Sequence, residues 1–110
     1  MELKELTNKL ADILKKIINT DMVEYKEVYE SHHTCPIGTW SPDDYYKELE
    51  YMCKAISRIS SRILEINIKE YFYDIKSIEH DILDIEEDYN KLIKEYFKDL
   101  EAMKYYEDED

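Results

Sequence analysis

Leu3, Leu6, Leu10, Ile13 and Ile17 recur at steps of three and four, and Leu14 and Ile18 widen the stripe, so the segment from Glu2 to about Asn19 predicts an amphipathic helix. Thr20 and Asp21 can cap a new helix start, with Glu24 three residues after Asp21 in a capping-box arrangement. Met22, Tyr25, Val28 and Tyr29 then form a second, shorter apolar face that runs to about His33. The stretch Cys35-Pro36-Ile37-Gly38-Thr39-Trp40 holds the single glycine and one of the two prolines, which predicts the principal loop. Ser41, Pro42 and Asp44 follow as an N-cap, a first-turn proline and an acidic third position.

The third helix has the cleanest period: Tyr45, Leu49, Met52, Ile56, Ile59, Ile63 and Ile66 alternate steps of four and three, a heptad seam. A second seam runs through Ile75, Ile78, Ile82, Ile85, Tyr89, Leu92 and Tyr96 before drifting to Leu100 and Met103. The phase breaks between Asn67 and Asp74. A tight interhelical turn there keeps both stripes on one core, whereas a single helix from Pro42 to about Tyr106 would swing its stripe away from any one partner. Leu64, Ile66, Ile68 and Phe72 also alternate as a strand would, but both flanks are helical. The expected fold is all-α: an antiparallel four-helix bundle with a long C-terminal helix, one domain over residues 1–106 and an acidic tail over 107–110.

Composition narrows the chemistry. The 110 residues include one Gly, two Pro, two Cys and three His, with 44% hydrophobic and 38% charged positions, a balance that fits a globular helical chain and not a disordered or turn-rich one. A lone glycine excludes Gly-rich phosphate loops. The 27 acidic against 15 basic residues give a net charge of −12, which argues against nucleic acid or an anionic membrane as a direct partner. The charged, amphipathic start Met1-Glu2-Leu3-Lys4-Glu5-Leu6 lacks the apolar run of a secretory signal, so a cytoplasmic location is expected, with Cys35 and Cys53 reduced.

That charge is unevenly placed. Residues 1–70 carry 13 acids and 10 bases, whereas residues 71–110 carry 14 acids and 5 bases. At about 100° per residue, Asp81, Asp84, Asp88, Glu95 and Asp99 fall within roughly 60° beside the apolar seam of the last helix, and Lys76, Lys91, Lys94 and Lys98 lie farther from it. The third helix has a matching stripe of Lys47, Lys54, Arg58, Arg62 and Lys69 within about 80°. Antiparallel packing could pair the two stripes and set register, each exposed pair adding ~0 to 1 kcal/mol. Pairing them leaves a surplus that includes Asp74, Glu79, Glu86, Glu87, Glu101 and the terminal tail. Tyrosines among these carboxylates suit a surface that grips a basic protein, and the candidate partner-binding residues are Glu79, Asp81, Asp84, Glu86, Glu87, Asp88, Glu95, Asp99, Tyr105 and Tyr106. Tyr45, Tyr89 and Tyr96 fall on seams and are expected in the core with their hydroxyls reaching solvent.

His32, His33 and Cys35 cluster beside Trp40 and offer the imidazole and thiolate ligands that zinc prefers; Cys53 and His80 are the soft candidates for a fourth position. Through Cys35, Gly38 and Trp40 the segment Ser31 to Trp40 resembles the Cys-x-x-Gly-x-Trp signature of chemoreceptor zinc-binding domains. That resemblance implies a four-helix, zinc-sensing bundle with Cys35 as a ligand. The family also takes a histidine from its first helix and a His-x-x-x-His pair from a later one, and this chain has neither.

Catalysis has little to stand on. Glu30 and His33 have Glu-x-x-His spacing, but a di-iron bundle needs that motif twice. His80 beside Asp81 and Asp84 forms no nucleophile, base and oxyanion constellation. The expectation is a non-enzymatic protein without a cofactor: a small acidic helical inhibitor of a basic protein such as a nuclease or nucleoprotein effector, of the immunity, antitoxin or phage anti-defence type. The alternatives are a zinc-sensing bundle and a homodimeric coiled-coil adaptor.

Overall fold

The computed structural model describes residues 2–31, 38–69 and 75–108, and their regular structure is all α-helical. Four helices follow in order: α1 (Leu3–Ile18), α2 (Val23–Ser31), α3 (Pro42–Lys69) and α4 (Ile75–Asp108). No helix among the described residues is long and apolar enough to cross a membrane. The expected turn between the two heptad seams falls partly at residues 70–74, outside the described ones, yet the reversal is plain from its two sides. Arg62 meets Asp81 at 2.5 Å near one end of the α3 and α4 pair, and Tyr45 meets Asp99 at 2.6 Å near the other. Partners climb α4 as they descend α3, so the two helices are antiparallel.

The four antiparallel arms expected from the sequence are not what forms. α1 and α2 do not pack on one another; each packs on α3 and α4. Along α4 their partners appear in rising order: Lys9 pairs with Glu86 at 3.4 Å, the Tyr89 hydroxyl donates to the Lys16 carbonyl, the Tyr96 hydroxyl donates to the Asp21 carbonyl, and Lys104 pairs with Glu24. α1 and α2 therefore form one broken arm parallel to α4, and the bundle has three arms.

The break has a packing reason. An unbroken helix would carry the stripe Leu6, Leu10, Ile13 and Ile17 on to Asp21 and Glu24, placing carboxylates in the core. The interruption advances the phase by one residue, so Met22 and Tyr25 are buried instead. Locally, the last turn of α1 tightens as the Thr20 N–H bonds the Ile17 carbonyl at 3.2 Å, and the Thr20 hydroxyl donates to the Lys16 carbonyl at 2.8 Å. Asp21 Oδ1 then accepts the Val23 N–H at 2.8 Å and opens α2. Glu24, placed by its spacing in a capping box with Asp21, reaches across to Lys104.

α3 starts as its sequence dictates. The Asp44 N–H donates to Ser41 Oγ at 3.3 Å while the Ser41 N–H donates to Asp44 Oδ2 at 3.0 Å, a reciprocal cap ahead of Pro42 at the first helical position. The core runs the length of the rod, and its most enclosed side chains are Leu6, Ile13, Tyr25, Tyr45, Ile78, Ile82 and Met103. The molecule measures 62 × 20 × 18 Å, with a radius of gyration of 17.7 Å. A compact chain of this length would have about 13 Å.

Candidate functional site

At the end of the rod where α2 meets the start of α3, residues 38–41 precede α3 and lie against α4 at Asp99. Trp40 is held by both backbone groups: the N–H donates to Asp99 Oδ2 of α4 at 3.2 Å, and the carbonyl accepts the Tyr25 hydroxyl of α2 at 2.5 Å. Asp99 Oδ2 also accepts the Tyr45 hydroxyl of α3 at 2.6 Å. The rings of Tyr25, Tyr45 and Tyr96 close round this clasp, with centroids 5.0 to 5.8 Å apart, and the Trp40 indole packs on Tyr45 at 5.2 Å. Burial, reinforced by the hydrogen bond to the Asp99 carboxylate, pushes the Tyr45 phenol far above its ordinary pKa. Burial likewise raises Tyr96, with smaller contributions from Glu24 and Asp21.

Tyr45 thus corrects one expectation. The Tyr45 hydroxyl is buried on Asp99, whereas Tyr96 ends on the Asp21 carbonyl and Tyr89 on the Lys16 carbonyl nearer the surface. Asp99 corrects another. Placed by the sequence in the partner-binding stripe, it is 5% exposed, the one buried charged residue among those described, and belongs to the core.

The remaining acidic candidates divide by neighbour. Asp81 bonds Arg62, the one contact in which the expected pairing of the α3 and α4 stripes forms as an ion pair among the described residues. Asp84 takes His80 of its own helix at 3.3 Å and shares a groove with Arg58 and Arg62. Glu86 turns to α1 and Lys9, and Glu87 pairs with Lys91 at 3.0 Å on exposed surface. Glu79 is half-buried and Tyr105 exposed on the last turns of α4; the Tyr106 side chain lies outside the described residues.

Asp88 and Glu95 behave differently. They face α3 where its opposite residue is Glu48, so three carboxylates from two helices line one groove of about 450 Å³. The groove is bounded by Trp40, which is 37% exposed, and Lys91 stands at its edge, already engaged with Glu87. Met52 and Leu92 supply its buried apolar floor. None of the three carboxylates forms a close ion pair with a described residue, although the Asp88 charge acts on Lys91. Such a groove can take a cationic side chain: carboxylates for the charge, an indole for the cation or its aliphatic stem, and an apolar base. Glu48 and Trp40 were not among the sequence candidates for partner binding. The seams carried no signal for either, because the register of α3 against α4, which sets Glu48 opposite Glu95, is fixed only by packing.

On the other side of the rod, between α1 and α3, runs an apolar groove of about 390 Å³ lined by Thr7, Leu10, Ala11, Leu14, Ile56, Ser60, Ile63 and Leu64. Leu64 is 57% exposed there, and Ile18, on the same flank of α1, 69%.

His32, His33 and Cys35 lie outside the described residues. Of the two proposed fourth ligands, His80 is 19 residues before Asp99 on α4, about 28 Å along the axis from the Trp40 clasp. Cys53 is a half-buried free thiol on α3. His80, Asp81 and Asp84 bring ligand atoms within 4.8 Å of one another, but Asp81 is held by Arg62 and Asp84 by His80 itself.

No family model, no curated protein and no solved structure matches the chain.

Proposed function

We propose that this protein is a binding module that docks the Glu48, Asp88 and Glu95 groove on a basic surface of another protein, and that it acts as an inhibitor by covering the basic cleft through which that protein holds nucleic acid. The observation that carries the reading is the convergence of three carboxylates without a close ion-pair partner among the described residues beside a half-exposed tryptophan. Elsewhere along the two helices Glu50, Asp81, Asp84, Glu86 and Glu87 each meet a basic side chain. The net charge of −12 supports fast, electrostatically steered association with such a partner.

The test uses a synthetic lysine- and arginine-rich peptide of about 15 residues as probe, a length that spans roughly 50 Å if extended. Any protein this acidic attracts a polycation, so two variants with the same net charge are compared. One neutralises the groove (Glu48→Gln, Asp88→Asn, Glu95→Gln), and the other neutralises Glu5, Asp12 and Glu27 on the first arm. The groove variant should lose about tenfold in affinity at physiological ionic strength, equivalent to about 1.4 kcal/mol. Equal losses in the two variants would reject the groove.

A second reading, a homodimeric adaptor, is favoured by the apolar groove between α1 and α3, where Leu64 stands exposed, with Ile18 exposed one turn beyond Leu14 on the same flank of α1. Sedimentation of wild type and Leu64→Lys decides it: a dimer that the substitution converts to monomer supports the adaptor, and a monomeric wild type removes it.

A further inference from the structure

We infer that Asp99 and Tyr25 are positioning residues for the acidic groove: they fix the backbone of Trp40 so that its indole stands as the groove wall. The inference rests on the reading of that groove as a docking surface for cations.

Trp40 lies in a segment without regular structure, where a residue is free to turn about φ and ψ unless something holds it. Here both of its backbone groups are taken by side chains, and from different helices: Asp99 of α4 receives the N–H, and Tyr25 of α2 donates to the carbonyl. Tyr45 of α3 completes the set by donating to the same carboxylate oxygen. Three helices therefore determine the place of one tryptophan, and none of the three side chains lines the groove.

The choice of residue at position 99 supports a directing role. Steps of four and three from Leu92 through Tyr96 to Met103 pass through 99, a seam position that elsewhere in α4 holds Ile, Leu, Tyr or Met. A buried charge is not the most stabilising occupant of such a position, because its desolvation offsets much of what its hydrogen bonds return. What a carboxylate can do there, and leucine cannot, is receive the Trp40 N–H and the Tyr45 hydroxyl together. A wall fixed in advance spares a docking cation the cost of ordering it.

Trp40 is the only tryptophan in the chain, so its fluorescence reports on this place alone. Quenching by caesium, by iodide and by neutral acrylamide is measured on wild type, on Tyr25→Phe and on the groove-neutralised triple variant. In wild type, caesium should quench more strongly than iodide, because the groove carboxylates concentrate cations at the ring. The triple variant should lose that preference; a wild type with no preference, or a triple variant that keeps it, rejects the groove itself.

The clasp is tested separately by Tyr25→Phe, which leaves every charge and the buried ring in place and removes only the hydroxyl. Acrylamide quenching should rise, emission anisotropy should fall, and the caesium preference should shrink. A Tyr25→Phe protein that is less stable yet gives wild-type quenching and anisotropy would mean that the clasp is structural only, and the inference fails while the groove stands. Asp99→Leu, which removes the acceptor of the Trp40 N–H, repeats the test from the other side, and Tyr25→Phe alone decides if that variant does not fold.

Discussion

The phenol of Tyr45 on α3 donates to the carboxylate of Asp99 on α4 across 2.6 Å of protein interior. The bond links two heptad seams at the end of the rod where the chain passes from α2 to α3. Both partners are almost fully buried, so removing the carboxylate strands the phenol, while removing the phenol leaves the carboxylate only the Trp40 N–H.

That dependence predicts non-additive mutants. Asp99→Leu leaves the Tyr45 hydroxyl and the Trp40 N–H without an acceptor and should cost about 2 to 4 kcal/mol, whereas Asp99→Asn keeps an acceptor oxygen and should cost about 1 kcal/mol. Adding Tyr45→Phe to Asp99→Leu removes one of the stranded groups, so the double variant should be less destabilised than the sum of the two single changes. Urea unfolding of the four proteins measures this, and strict additivity would show that the bond carries no coupling.

Alkaline pH should unfold the protein through its buried phenols. The folded pKa of Tyr45 lies above the unfolded value, so the neutral phenol stabilises the fold fully below about pH 10, and that contribution is lost as pH rises beyond it, where the unfolded chain has already released the proton. Tyr96 adds in the same direction. Phenolate absorbance recorded against pH should show the Tyr45 and Tyr96 phenols ionising only as helicity is lost. Ionisation of all eleven in one step, with helicity intact, would contradict the burial.

Among the consecutive acids Glu86, Glu87 and Asp88, single charge reversals should act unequally on association with a basic peptide. Glu86 faces Lys9 and Glu87 faces Lys91, whereas Asp88 lines the groove. Asp88→Lys should slow association most, and the contrast should fade at high salt as the field is screened over about 8 to 10 Å. Melting temperatures should move little, because exposed pairs contribute ~0 to 1 kcal/mol each. Equal slowing by all three reversals would point to net charge and not to the groove.

The reversal between α3 and α4 should be visible as a distance. Spin labels at positions 54 and 94 should lie within about 25 Å in the antiparallel arrangement, since neighbouring helix axes are 8 to 10 Å apart and the register offset between the two positions is a few residues. One continuous helix would separate them by about 60 Å, at about 1.5 Å for each of the 40 residues between.

Much of the local structure was legible along the chain. The stripe of α1, the Ser41-Pro42-Asp44 start of α3 and the two heptad seams each depend on neighbours within two turns, and spacing alone encodes such neighbours. The place of the break after α1 was legible too, but not its consequence. Thr20 and Asp21 mark an end and a beginning equally well for a chain that turns back and for one that goes on. What decides is where Met22 and Tyr25 find a core, and they find it on α3 and α4, without α1 folding back.

The candidate site divides in the same way. Helical periodicity set Asp81, Asp84, Asp88, Glu95 and Asp99 beside one seam, and the sequence by itself determined that they share a flank of α4. Only tertiary structure decided that Arg62 would take Asp81, that Asp99 would be buried under Tyr45 and Trp40, and that Asp88 and Glu95 would face Glu48. The physical reason is the range of the interactions. A helical face is a property of residues three and four apart, while the fate of a charge depends on what another helix, some 20 to 60 residues away in the chain, brings to within a few ångströms of it.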